Sequence, residues 1–268
     1  MTLGFSVEAL VPRARGGGQL KMGLTALSAE AWLDPAPDLA ARVAGFAAFP
    51  EGVQRSPEGE APGRELARML GIDGGLAEAA LAHHEDMCLL TRRTDEPFYR
   101  LVGTAVAFPT DWIPARKMGL SLTAMHAPIH GYAEQLASGV DHFMARLSPD
   151  RIFGRCNWFI APTGRMRWLA DEQPQSALAA ATAQNAGETL FVRCERQTLR
   201  RLPETGAILF TIGVYVAPLR SLSDANVARL AQAVAALVRG EGDRRGAPCY
   251  SEALRGFATA RGIAIASA

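Results

Sequence analysis

Histidine and cysteine are the scarce reactive side chains of this sequence, and they limit the chemistry that it can support. The four cysteines lie far apart without a C-x-x-C pair, which argues against a zinc ribbon and against an iron–sulfur cluster with clustered ligands. A bound metal would therefore depend on one or two histidines. The residues concerned are His83, His84, His126, His130, His142, Cys88, Cys156, Cys194 and Cys249.

Charge and motifs exclude several classes of function. The net charge is +1, so the composition does not drive binding to nucleic acid or anionic lipid. The sequence has no G-x-G-x-x-G, P-loop or G-x-S-x-G motif, and no apolar run approaches the ~20 residues of a membrane span. The scattered cysteines do not suggest a disulfide scaffold, so we predict a cytoplasmic protein. From the charge and the apolar runs we predict that it neither binds nucleic acid nor spans a membrane.

The elements that position these groups change character along the chain. Residues 1–20 carry few order signals and predict a flexible arm, whereas residues 21–268 predict one domain with helical additions. The first third shows helical periodicity, interrupted by a Pro/Gly/Glu-rich loop over 51–64. The helices predicted there cover 27–48, 63–71 and 76–86.

Strand patterns dominate the remainder of the chain. Apolar and β-branched runs predict strands over 87–91, 99–108, 152–161, 189–199 and 207–216. Further helices are predicted over 131–147, 223–239 and 250–262, and Ser223 is a natural N-cap. We therefore predict an α+β fold with a five-stranded antiparallel sheet, a helical N-terminal region and C-terminal helices. A helical insertion before the third strand is the order expected of a PAS-like domain.

Polar residues on the predicted strands are the next candidates for chemistry. Arg155 and Asn157 share one face of their strand, because side chains alternate between faces. Arg193, Glu195 and Gln197 likewise share one face of the following strand. These residues could place a guanidinium, an amide and a carboxylate together on the sheet.

Several short strings occur in an order that resembles one bacterial family, the α subunits of haem-dependent oxidative N-demethylase (dimethylamine monooxygenase). They span about residues 20–220, and their order and spacing carry the resemblance. The strings are Met22-Gly-Leu-Thr-Ala-Leu27, Trp32 with Asp34, Glu85-Asp86, Phe108-Pro-Thr-Asp-Trp112, Lys117-Met-Gly119, His126-Ala-Pro128, Arg155-Cys-Asn-Trp158 and Glu195-Arg-Gln-Thr-Leu199.

The resemblance implies a haem-binding PAS-like domain with haem b held by one axial histidine. His126 is the predicted ligand of the iron, because imidazole suits iron that binds oxygen; the alternative is a capping or core histidine. His130 stands where the family pattern has proline, and it could be a surface residue, a second ligand or a distal group. The other predicted cofactor-binding residues are Lys117, Trp112, Arg193 and Arg201.

The resemblance also suggests catalytic residues. Arg155 and Asn157 could polarise oxygen or orient an amine, although Arg155 could equally have a structural role. Glu195 could bind a protonated amine through a charge-assisted hydrogen bond; the alternative is an Arg–Glu cross-strand pair on a solvated face.

The implied reaction is O2-dependent removal of a methyl group from a small secondary amine such as dimethylamine, with release of formaldehyde. Since the sequence lacks dinucleotide and cluster motifs, its electrons would come from a separate reductase subunit that carries flavin and an iron–sulfur cluster. Two alternatives stay open. One is a haem-based PAS sensor of gas or redox state, and the other is a binding member of the family that has lost haem.

Overall fold

One antiparallel sheet organises the protein in the computed structural model, which describes residues 3–14, 21–129, 131–237 and 239–265. Its strands are β1 (Thr25–Leu27), β2 (Val53–Arg55), β3 (Asp86–Thr91), β4 (Arg100–Ala105), β5 (Ile152–Ala161), β6 (Phe191–Arg201) and β7 (Ile208–Pro218). Across the sheet they follow the order β1-β5-β6-β7-β3-β4-β2. The α+β class is confirmed.

The sheet has seven strands, so the prediction of five was too low. The five predicted strands are β3 to β7, and they form its continuous centre. The two additional strands have three residues each and pair only at the two edges, β1 with β5 and β2 with β4. Three residues are too few to show an alternating pattern. Of β1, only Leu27 falls in a predicted element, the helix over 27–48, and β2 falls in the predicted loop over 51–64.

Ten α-helices and one π-helical turn surround the sheet in the described residues. The α-helices are α1 (Val7–Leu10), α2 (Leu39–Ala48), α3 (Glu60–Met69), α4 (Leu76–Leu81), α5 (Leu122–Met125), α6 (Ser138–Arg146), α7 (Ala186–Thr189), α8 (Asp224–Ala235), α9 (Arg239–Arg244) and α10 (Ala247–Ala260). The predicted cap of α8 is confirmed, because the Ser223 side chain accepts a hydrogen bond from the Asn226 N–H. Every described helix is too short or too polar to cross a bilayer.

The predicted helices differ from the structure in their bounds. The helix predicted over 76–86 ends at Leu81, and the helix predicted over 223–239 ends at Ala235. Two others differ most. The helix predicted over 27–48 begins only at Leu39, where the Asp38 side chain accepts a hydrogen bond from the Ala41 N–H. The helix predicted over 131–147 is divided into a π-helical turn, Ala133–Ala137, and α6. A single π-helical turn of five residues is too short for sequence periodicity to distinguish it from an α-helix.

The prediction of a flexible arm over residues 1–20 is wrong for residues 3–14. Helix α1, the 3₁₀ turn after it and the residues before it bury four apolar side chains in the hydrophobic core. These side chains are Leu3, Val7, Leu10 and Val11. Residues 15–20, which also belonged to the predicted arm, lie outside the described part of the chain.

The two faces of the sheet carry different layers. One face of the sheet packs against α1, α8 and α10, and its side chains include Cys156, Trp158 and Cys194. We term it the opposite face, because it lies opposite the face that carries the candidate site. Side chains at the alternate positions, including Phe153, point to the other face, where Phe153 meets Phe143 of α6 edge-on at 5.2 Å. We term this second face, which carries Arg155, Asn157, Glu195 and Gln197, the site face.

Candidate functional site

His126 lies at the end of α5, above the site face. Its backbone N–H donates to the Leu122 carbonyl at 3.0 Å, and its ring Nδ1 lies 2.8 Å from the same oxygen. A carbonyl can only accept, so Nδ1 carries the proton and Nε2 keeps its lone pair. This arrangement, with one ring nitrogen oriented by a backbone carbonyl, is the usual state of a metal-ligating histidine.

The surroundings of His126 favour the neutral imidazole. Burial lowers its pKa, and the positive charges of Arg155 and Lys117 lower it further, while the hydrogen bond to Leu122 acts in the opposite direction. A neutral imidazole is the form that can coordinate a metal. The structure thus places the His126 imidazole close enough to Arg155 and Lys117 for their positive charges to lower its pKa.

The Tyr132 ring contacts His126, and a π-helical turn follows Tyr132 in the sequence. The Tyr132 ring stacks on the imidazole, with centroids 4.4 Å apart and planes inclined by 20°. Tyr132 is buried, and burial raises the pKa of its phenol to about 12. The π-helical turn Ala133–Ala137 follows directly, and such turns are frequent at functional sites. His130 lies outside the described residues.

Lys117 and Trp112 lie near the same helix. The Lys117 ammonium donates to the Met125 carbonyl at 2.9 Å, which ties the preceding loop to the end of α5. Trp112 is half-buried and packs in the apolar cluster that contains Leu122 and Met125. Both predicted cofactor residues therefore lie in the neighbourhood of His126.

Arg155 and Glu195 are joined through Gln197 on the site face. Arg155 Nε donates to Gln197 Oε1 at 2.7 Å, and Gln197 Nε2 donates to Glu195 Oε2 at 2.9 Å. Gln197 lies opposite Arg155 in the β5–β6 register, and Glu195 lies opposite Asn157. Both Gln197 and Glu195 are 7% exposed, so Glu195 does not form an Arg–Glu pair on a solvated face.

Asn157 is engaged at the edge of the sheet. Its side-chain oxygen accepts a hydrogen bond from Arg245, which follows α9, at 3.2 Å. The same guanidinium lies over the rings of Trp158 and Phe159, at 5.0 Å and 4.9 Å from their centroids. The structure thus gives the Asn157 oxygen a structural partner, and sequence reasoning missed Arg245 because nearly ninety positions separate the two residues.

Arg193, which we predicted to bind the cofactor, is engaged by the protein itself in this structure. Its guanidinium is fully buried and donates to Thr110 Oγ1 and to four backbone carbonyls. These carbonyls belong to Phe108, Pro109, Arg165 and Met166. Five N–H donors meet five acceptors, which leaves none for a propionate. Burial lowers the pKa of Arg193 to about 10, while Glu195 and Asp86 act in the opposite direction.

Arg201 is likewise committed to the fold. Its guanidinium donates to the carbonyls of Leu147 and Met144 at the end of α6, to Gly206 and to the Tyr99 hydroxyl. These contacts close the C-terminal end of α6 and the turn after β6. Arg201 therefore caps the end of α6 in this structure, and its binding of a cofactor stays a prediction.

Two cavities in the described part of the chain lie away from His126. A cavity of about 450 Å³ lies beside His84 and Tyr215, and another of about 410 Å³ lies between α8 and α10. None of the predicted site residues lines either cavity. The support for a site at His126 is therefore its donor chemistry and its charged neighbours.

Metal coordination by protein groups alone is not apparent in the described residues, where no three His, Cys, Asp or Glu side chains cluster. A single imidazole suits a cofactor that brings its own equatorial ligands, as a tetrapyrrole does. The fold and site define an α+β protein with an imidazole donor near a guanidinium that is linked through the Gln197 amide to a buried carboxylate.

Comparison with known proteins gives the family. A model of the family described as haem-dependent oxidative N-demethylase, alpha subunit-like, matches residues 73–254, which is more than half of the chain. The chain belongs to this family, as its motifs predicted. A search of curated proteins finds no match.

Proposed function

We propose that the protein is a haem-dependent oxygenase subunit that removes a methyl group from a small secondary amine and releases formaldehyde. The observation that carries the proposal is the position of the His126 ring, whose Nδ1 lies 2.8 Å from the Leu122 carbonyl oxygen, so that Nε2 is the nitrogen left to coordinate a metal. Membership of the family named for haem-dependent oxidative N-demethylation supports the same reading.

The residues around His126 fit haem b. His126 would hold the iron through Nε2, and Lys117 would offer a cation to a propionate with the N–H groups not used on the Met125 carbonyl. Trp112 and its apolar cluster would contact the macrocycle. When bound, haem b would supply the iron that activates oxygen.

Glu195 is our candidate for binding the substrate. A secondary amine is protonated near neutral pH, and a buried carboxylate can bind its N–H groups through charge-assisted hydrogen bonds. Glu195 is nearly buried, and Gln197 fixes one of its oxygens. Arg155, on the same face, would contribute a positive charge beside the reacting atoms.

The sheet supports a PAS-like assignment for the haem-binding unit. Its five longer strands are contiguous and antiparallel, and the segment with α5, the π-helical turn and α6 separates the second of them from the third. This is the insertion that the sequence predicted for a PAS-like domain. We propose that this segment and the site face enclose the haem.

Electrons would come from another subunit. The family description names an alpha subunit, which fits a multi-subunit oxygenase. We propose a reductase partner that carries flavin and an iron–sulfur cluster. No three metal-ligating side chains cluster in the described residues, where Cys156 and Cys194 are buried neighbours on β5 and β6 and Cys88 is buried in β3.

The test is formaldehyde release by the haem-reconstituted protein, supplied with dimethylamine, oxygen and a chemical electron donor. The proposal predicts formaldehyde in proportion to the oxygen consumed, and a rate that collapses in Glu195→Gln. Haem binding without formaldehyde would instead support a sensor. A protein that does not bind haem would contradict both readings and favour a binding member of the family.

A further inference from the structure

Gln197 lies between two oppositely charged side chains on the site face. It accepts from Arg155 Nε at 2.7 Å and donates to Glu195 Oε2 at 2.9 Å. Among the described residues, Gln197 is the one hydrogen-bond donor to the Glu195 carboxylate. The amide is therefore the link between the two charges.

The orientation of this amide is fixed by both partners. In the opposite orientation its NH₂ group would face the guanidinium N–H, and its oxygen would face the carboxylate, so both hydrogen bonds would be lost. Gln197 is 7% exposed, which leaves little access to water as a substitute partner. The side chain therefore has one favourable state.

Arg155 and Glu195 would otherwise attract each other directly. They occupy diagonal positions on adjacent strands, because Arg155 lies opposite Gln197 and Glu195 lies two residues before it. Long side chains at diagonal positions are within reach of each other. A guanidinium and a carboxylate in contact form a strong bidentate pair, which would occupy both carboxylate oxygens.

We propose that Gln197 is a positioning residue, whose amide keeps Arg155 and Glu195 from pairing so that one Glu195 oxygen stays available to a cationic ligand. The inference rests on the proposed function, because that cation is the protonated secondary amine. Gln197 itself does not touch the ligand. Its effect is to set where the two neighbouring charges lie.

The substitution Gln197→Met tests this idea, because methionine has a similar length without a hydrogen-bonding amide. Arg155 should then pair with Glu195, and the Kd for dimethylammonium, measured by calorimetry on the haem-reconstituted protein, should rise about tenfold. The exposed Gln232 on α8 provides a control, since Gln232→Met should leave the Kd unchanged.

The variant Arg155→Met distinguishes positioning from a merely structural effect. In that background Arg155 can no longer capture Glu195, so adding Gln197→Met should have little further effect on the Kd. A tenfold loss that persists in the Arg155→Met background would overturn the proposal. If Gln197→Met does not fold, Gln197→Ala repeats both comparisons.

A measurement without ligand separates this inference from the proposed function. The coupling between Arg155→Met and Glu195→Gln in chemical unfolding should be larger in the Gln197→Met background, because the two charges then meet directly. An equal or smaller coupling would overturn the positioning role. If the coupling increases but the wild-type protein does not bind dimethylammonium, the proposed substrate fails while the role of Gln197 stands.

Discussion

Buried charged side chains carry both the fold and the candidate site in this protein. Arg193 satisfies five acceptors and holds two loops against β6, whereas His126 keeps an unprotonated nitrogen beside Arg155 and Lys117. Arg193 is fully buried and His126 is half-buried, yet of these two only His126 has a donor atom that the fold does not use. The hydrogen bonds thus distinguish Arg193, whose donors are all used within the protein, from His126, whose Nε2 can bind a ligand.

Arg193→Lys should destabilise the protein by about 3 kcal/mol, because lysine has fewer donors and leaves buried carbonyls unsatisfied. The free energy of unfolding in urea measures the effect. Arg146→Lys, at an exposed position of α6, is the matched control and should change little. A loss for Arg193→Lys no greater than for this control would contradict the structural role.

Glu85 gives a prediction about pH. It is fully buried, and although its Oε1 accepts from the Asp34 N–H, its Oε2 has no partner among the described residues. Burial raises the pKa of its carboxyl group, against the influence of Asp34, His84 and Arg196. The folded pKa therefore lies above the unfolded value, and stability from this group is lost as pH rises through the folded pKa.

Glu85→Gln removes this titration. The unfolding free energy of the variant minus that of the wild type should therefore increase as the pH is raised from roughly 5 to roughly 8. Urea unfolding at the two pH values measures the difference. Glu252→Gln, which changes an exposed glutamate on α10, should show no such trend. A stability difference for Glu85→Gln that shrinks as the pH rises would refute the raised pKa.

At the scale of elements, the sequence predicted long strands well and short elements poorly. The bounds of β5 agree fully with the prediction because its apolar run is long and bounded by turn residues. Edge strands β1 and β2, the π-helical turn and α1 depend on contacts distant in sequence, which periodicity does not show. The same limit applies to the partners of Arg193 and Arg201, since most of those acceptors are backbone carbonyls that any sequence supplies.

Whether the N-terminal segment, residues 3–14, belongs to the core can be tested by substitution. Leu10 is fully buried against the layer of α8 and α10, so Leu10→Ala should cost about 2–5 kcal/mol of unfolding free energy. Val43, which is 55% exposed on α2, is the control, and Val43→Ala should have little effect. Equal effects in thermal or chemical unfolding would show that the segment is not part of the core.

At the scale of the whole molecule, the sheet separates stability from candidate function. Its opposite face is packed against α1, α8 and α10, whereas its site face holds buried polar groups beneath the segment that carries His126. The family match agrees with this division between the faces, because the matched residues 73–254 include every predicted site residue. A cofactor between the His126 segment and the site face would contact one face alone.

The central claim is that His126 holds haem through Nε2, and the visible absorption spectrum tests it most directly. The wild-type protein reconstituted with haem should show a Soret band that shifts or disappears in His126→Ala and is unchanged in His142→Ala, an exposed residue of α6. Added imidazole should restore the wild-type band to His126→Ala. A Soret band identical in the wild type and His126→Ala would contradict the ligand assignment.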